Sequence, residues 1–159
     1  DLYPYHESIS SIHIKRRYDI VKKLGLAISM LKEAFGDNSK WKWSFVELEG
    51  RFATVAKNLI DMKSAVKDYF DPRAEDYETT VLYMRTIIRL LNESATAYRD
   101  KYELSTRRID DMRNGIKYLL ALRKLYLAIS DSTNAEEVKK KALVWKDKMD
   151  SDHKSGLSN

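Results

Sequence analysis

The chain has 159 residues, the length of one domain, and carries a formal charge of +5 on 33% charged and 43% hydrophobic residues. With only five glycines and two prolines, a sandwich or barrel of many short strands is excluded, and the balance suits long helices or coiled coils. There is no cysteine, so no disulfide and no thiolate metal site, and no apolar run approaches the ~18 residues of a membrane span.

The charge excess is mild and spread over a mixed-charge chain, whereas a dedicated nucleic-acid binder is more lopsided, so no nucleic-acid partner is expected. No signal peptide is visible, and the composition is compatible with a reducing compartment. The chain opens on Asp1 rather than Met, and we expect a piece of a larger protein.

In chain order, the first feature is "HIKRRYDIVKK", five basic side chains and one acid interleaved with Ile14, Tyr18, Ile20 and Val21. A heptad run follows at Ile20, Leu24, Ala27, Leu31 and Ala34, which predicts a half-buried helix with its Lys and Arg heads facing out. "FGDNSKWKW" then holds the one clear breaker, and Trp41 and Trp43 read as an apolar plug over it. A second run occupies Phe45, Leu48, Phe52, Val55, Leu59, Met62, Val66 and Tyr69. The residue before a proline resists the α region, so this helix ends at Asp71-Pro72.

The longest run is Tyr77, Val81, Met84, Ile88, Leu91, Ala95, Tyr98, Tyr102, Ser105, Ile109, Met112, Ile116, Leu119, Arg123 and Tyr126, with Ser105 and Arg123 the only polar members. Asp71 as N-cap and Pro72 at the first helical position predict one uninterrupted helix over about 72–130, on the order of 85 Å long. Thr133 or Asn134 is the expected cap of a last helix, about 135–149. The expected layout is therefore a single all-α domain over 1–150. It is an elongated antiparallel three-helix coiled-coil bundle that dimerises through its long helices. Helix 1 covers about 8–70 with a break near 36–43, and 151–159 form a disordered end or linker. The core or dimer seam is expected at Val81, Met84, Ile88, Leu91, Tyr98, Tyr102, Ile109, Met112 and Ile116.

No catalytic constellation emerges, and we expect no enzyme, cofactor or metal. His6, His13 and His153 lack metal-ligand spacing. The acidic pairs Glu75/Glu78 and Asp100/Glu103 have the residue types for Mg²⁺, but on one helix they lie about 37 Å apart. Asn92 begins a glycosylation pattern inside a helix, where chance explains it. Tyr98 and Tyr102 sit on the seam, so burial is expected rather than base stacking. Basic groups recur at Lys15, Arg16 and Arg17 with Lys22 and Lys23, at Arg107, Arg108, Arg113 and Lys117, at Arg123 and Lys124, and at Lys139, Lys140 and Lys141 with Lys146 and Lys148. In an antiparallel rod, all but the Arg107 group gather toward one end and attract anionic surfaces.

This layout resembles the BAR domain, and the local text is similar to the BAR domains of sorting nexins. "HIKRRYDIVKKLGLAISMLKEAFGD" resembles their first-helix stretch, "WSFVELEGRFATVAKNL" the segment after it, and "VLYMRTIIRLLNESATAYRDKYELS" the start of their second helix. The likeness covers about 8–149; the phosphoinositide-binding domain that normally precedes it is absent and the third helix stops short. The resemblance implies a homodimer, or a heterodimer with a related subunit. It implies binding and remodelling of curved anionic or phosphoinositide membranes in endosomal sorting and protein transport, with a cytoplasmic protein peripheral on endosomes. Contact is then expected at Lys15, Arg16, Arg17, Lys22, Lys23, Arg123, Lys124, Lys139, Lys140 and Lys141. A coiled-coil scaffold without membrane binding is the alternative, and a helical nucleic-acid binder a weaker one.

Overall fold

In a computed structural model, residues 9–36 and 40–157 are described, and all regular elements among them are helical. They are α1 (Ile14–Phe35), α2 (Lys42–Asn58), α3 (Met62–Tyr69), α4 (Tyr77–Lys101), a π-helical turn (Tyr102–Thr106), α5 (Ile109–Ala128) and α6 (Ser132–Lys154). Where one domain is expected, the chain forms two compact units, 1–87 and 88–159, whose boundary falls inside α4.

In the first unit α1 and α2 run antiparallel. Gly25 lies against the Phe52 ring, Lys32 bonds Glu49 at 2.9 Å, and the rings of Phe35 and Phe45 meet edge to face at 5.7 Å. Val21, Phe52, Ala53, Ala56 and Met62 fill the core with Tyr83, Met84 and Ile87 from the first turns of α4. Each buried large apolar side chain contributes about 1.5–3 kcal/mol. The Tyr18 ring stacks on Tyr83 at 5.2 Å, and the Tyr83 hydroxyl donates to the Ala56 carbonyl at 2.8 Å. Burial pushes that hydroxyl's pKa well above its ordinary value, although the Arg17 charge pulls the other way.

In the second unit α5 and α6 form an antiparallel hairpin. Met112, Leu119, Leu122 and Leu125 are buried, as are Ala135, Val138, Ala142 and Trp145 on α6. Gly115 lets the backbones approach: a Cβ there would meet the Ala95 carbonyl at 3.1 Å and the Trp145 ring at 3.3 Å. The rings of Tyr98 and Tyr118 stack at 5.7 Å.

Several expected boundaries are corrected. Asp71 does not cap a helix at Pro72. Its carboxylate accepts from Arg73 N, successive turns run through Ala74, and α4 begins only at Tyr77. The expected helix over 72–130 is interrupted as well. Arg107 N donates to the Tyr102 carbonyl at 3.0 Å, a five-residue closure, and Arg107 turns left-handed at φ 53°. Thr106 Oγ1 then accepts from Arg108 N and donates to the Asp111 carboxylate at 2.6 Å, which restarts the chain as α5.

The first helix breaks near 36–43 as expected, and again, unexpectedly, between Asn58 and Met62. Gly36 (φ 80°) ends α1, and Asp61 accepts from Lys63 N to start α3. The rest of the Gly-Asp-Asn breaker, like His6, lies outside the described residues. Asp131, not Thr133 or Asn134, caps α6, and hydrogen bonds from Asn134 hold its carboxyl below the usual range. Finally, α6 continues to Lys154, so 151–154 are helix rather than disordered end, with Asp152 buried.

Candidate functional site

The basic stretch on α1 resolves into residues of different kinds. His13 caps the helix through Nδ1, which accepts from Lys15 N, and its Nε2 lies 3.2 Å from Asp76. Lys15 is exposed and reaches Asp76 at 4.0 Å. Arg16 and Lys23 are exposed and, among the described residues, make no ion pair. Lys22 is exposed, bonds Asp19 at 2.9 Å and sits 4.8 Å from the Tyr18 ring centre.

Arg17 is a correction to the expected membrane contacts. It is only 7% exposed, donating from Nε to the Ile12 carbonyl and from Nη1 to the Leu59 carbonyl, each at 2.8 Å. Its guanidinium ties the carbonyl of Ile12, just before α1, to that of Leu59, the C-cap of α2, so it serves the fold and offers no surface charge. An i to i+3 position on an apolar helix stripe, flanked by Ile14 and Val21, was the available signal.

In the second unit, Arg123 and Lys139 converge on Glu136 at 3.9 and 3.3 Å, across the α5/α6 hairpin. Arg123 is half-buried and its Nε finds no hydrogen-bond partner among the described residues, whereas Lys124, Lys139 and Lys140 are exposed. Lys141 is half-buried with its ammonium 5.1 Å from the Trp145 ring centre. Of the expected seam, Met84, Leu91, Tyr98, Tyr102 and Met112 are buried, and Val81, Ile88, Ile109 and Ile116 half-buried.

The structure also reveals an apolar surface. The heptad line Ile20, Leu24, Ala27, Leu31 and Ala34 faces outward. The side of α1 turned to its own unit is a different line: Ile14, Arg17, Val21 and Ile28 buried, with Tyr18, Gly25 and Lys32 half-buried. The expectation of a seam inward from Ile20 is corrected accordingly. On α2, Phe45 and Phe52 turn inward while Leu48 and Val55 stay exposed. A cleft lined by Leu31, Phe35, Trp41, Ser44, Phe45 and Leu48 joins the two helices. Exposed apolar side chains thus run the length of the hairpin, each 37–47% exposed from Ile20, Leu24, Leu31 and Phe35 to Trp41, Leu48 and Val55.

The buried carboxylates Asp152 and Asp111 are tied up in structure. The Tyr102 hydroxyl, Lys148 and Arg107 surround Asp152, and Lys101 with Thr106 holds Asp111. No group of three or more His, Asp or Glu among the described residues could hold a metal ion, and Glu103 of the acidic pairs bonds Arg99 at 3.0 Å. No described helix is long and apolar enough to cross a membrane.

Fold and surfaces define an all-α protein with helices packed in two units and an apolar helix face open to solvent. The chain belongs to the TP0443 family, whose model matches residues 1–153. No curated protein and no solved structure matches it.

Proposed function

We propose that the protein is a non-catalytic association module that presents the α1/α2 face to a helical partner. The observation that supports this is the double use of α1: one heptad line is enclosed by its own unit, and a second, through Ile20, Leu24, Ala27 and Leu31, is exposed. A helix with two apolar lines is built to lie between two neighbours, and a contiguous apolar patch marks an interaction site. The test is uptake of an environment-sensitive apolar dye. Leu24→Glu with Leu31→Glu should abolish dye binding at unchanged helicity. Wild-type protein that binds no dye, or a variant that binds it equally, would remove the reading.

A second reading keeps the resemblance to sorting nexin BAR domains, with peripheral binding to curved anionic membranes of endosomes. Its support is that Arg16 and Lys23 are exposed, without ion pairs among the described residues, on a helix that also exposes Leu26 and Met30, each at 62%. Helices that lie in a membrane interface combine cations with apolar side chains in this way, and each cation near an anionic leaflet contributes ~1 kcal/mol. The interruption at 102–107 weighs against the long continuous second helix of that family. Co-sedimentation with phosphatidylserine vesicles should exceed that with phosphatidylcholine vesicles and drop on Arg16→Glu with Lys23→Glu. Equal sedimentation with both would end this reading.

A further inference from the structure

We infer that the partner of the α1/α2 face is a second copy of this chain, docked so that the two α1 helices run antiparallel about a two-fold axis near Ala27. This rests on the association reading above and names its occupant.

Seven apolar side chains at 37–47% exposure offer on the order of 500 Å², taking about 150–250 Å² for each large side chain fully exposed. A standard interface buries about 800 Å² per partner, and homodimer interfaces are about 65% apolar. The face therefore supplies the apolar share of one complete interface.

The kind of occupant follows from spacing. A line repeating at four and three residues accepts another helix with the same repeat, and a second α1 carries the identical line at the identical length. Ala27 and Ala34 are small, so two helix backbones can approach closely there.

Charge selects the direction. The first half of α1 carries Lys15, Arg16, Lys22 and Lys23 against Asp19, while the second half carries Glu33 and Lys32, the latter paired with Glu49 at 2.9 Å. A parallel pair would set Arg16 and Lys23 beside their own copies, which repels. An antiparallel pair sets the basic half against the half with Glu33, opposes the helix dipoles, and brings Leu24 against Leu31 and Ile20 against Phe35 of the copy. A two-fold contact of this kind is closed, so it yields a dimer and not a filament. It would also put two sets of Arg16 and Lys23 on one particle.

The chain has no cysteine, so single cysteines report cleanly. Ala27→Cys should form a covalent dimer on mild oxidation, while Ser29→Cys, exposed on the same helix but off the line, should lag at least tenfold. Sedimentation equilibrium should give a dimer for wild type, and Leu24→Glu with Leu31→Glu should weaken it at least 100-fold with circular dichroism unchanged. Equal cross-linking of both cysteines, or a dimer that survives the double substitution, overturns the proposal. So does a monomer at every concentration; if that monomer still binds the apolar dye through Leu24 and Leu31, the association reading stands with a different occupant, and if it does not, both fall.

Discussion

The Tyr102 hydroxyl donates to Asp152 Oδ2 at 2.8 Å, which ties the π-helical turn to the last turn of α6 across fifty residues of sequence. Lys148 adds a second bond at 3.1 Å and Arg107 stands 3.9 Å away. The hydrogen bond from Tyr102, then that from Lys148, holds the Asp152 carboxyl below its ordinary range. Tyr102→Phe leaves a buried carboxylate short of a donor, and should cost about 1–3 kcal/mol in urea denaturation, with Phe filling the same space.

The same carboxyl predicts an acid limb. A group whose folded pKa is depressed contributes stability that is complete above its unfolded value, near 4, and is lost as pH falls through the lower folded value. Wild type should therefore lose stability as pH falls below about 4 more steeply than Asp152→Asn. Parallel denaturation series across that range would check it, and coincident curves would contradict the assignment.

A chain ended after Asp150 loses Asp152 and the last turn of α6. If 151–159 were a free end, such truncation would cost nothing; we expect about 2–3 kcal/mol and faster hydrogen exchange at 102–112.

Neighbouring arginines separate fold from surface. Arg17→Ala leaves the Ile12 and Leu59 carbonyls unpaired and should destabilise by about 2–3 kcal/mol. Arg16→Ala, one residue earlier and exposed, should change stability by less than about 0.5 kcal/mol. Thermal or urea unfolding of the two variants checks the contrast.

Gly115→Ala would stabilise an isolated helix by about 0.8–1 kcal/mol. Here the added carbon meets the Ala95 backbone carbonyl at 3.1 Å, an atom that cannot swing aside, and the Trp145 ring at 3.3 Å. We expect a net loss of about 1 kcal/mol or more, with Gly115→Val worse. A stabilised alanine variant would show that the backbones can part at no cost.

Periodicity marks Met84, Leu91, Tyr98, Tyr102 and Met112 as apolar-line positions, and all are buried. It also marks Ile20, Leu24 and Leu31, with the same spacing, and these are exposed. Spacing reports that a line exists and is blind to which of two parallel lines the rest of the chain covers. Ser105 was the visible irregularity on the long line, but one polar residue does not announce a π turn. That turn depends on Asp111 accepting from Thr106 and on Asp152 accepting from Tyr102. The candidate contacts fared similarly: charge alone does not separate Arg16, in solvent, from Arg17, folded under α2.

By itself the sequence determined an all-helical chain, because scarce Gly and Pro and four-three spacing are local properties that any stretch carries with it. Only the tertiary structure decided where the helices stop, which heptad line of α1 stays in solvent, and which charges are free. Those outcomes depend on distant partners: the carbonyl of Leu59 for Arg17, the carboxylate of Asp152 for Tyr102, and the ring of Trp145 over Gly115.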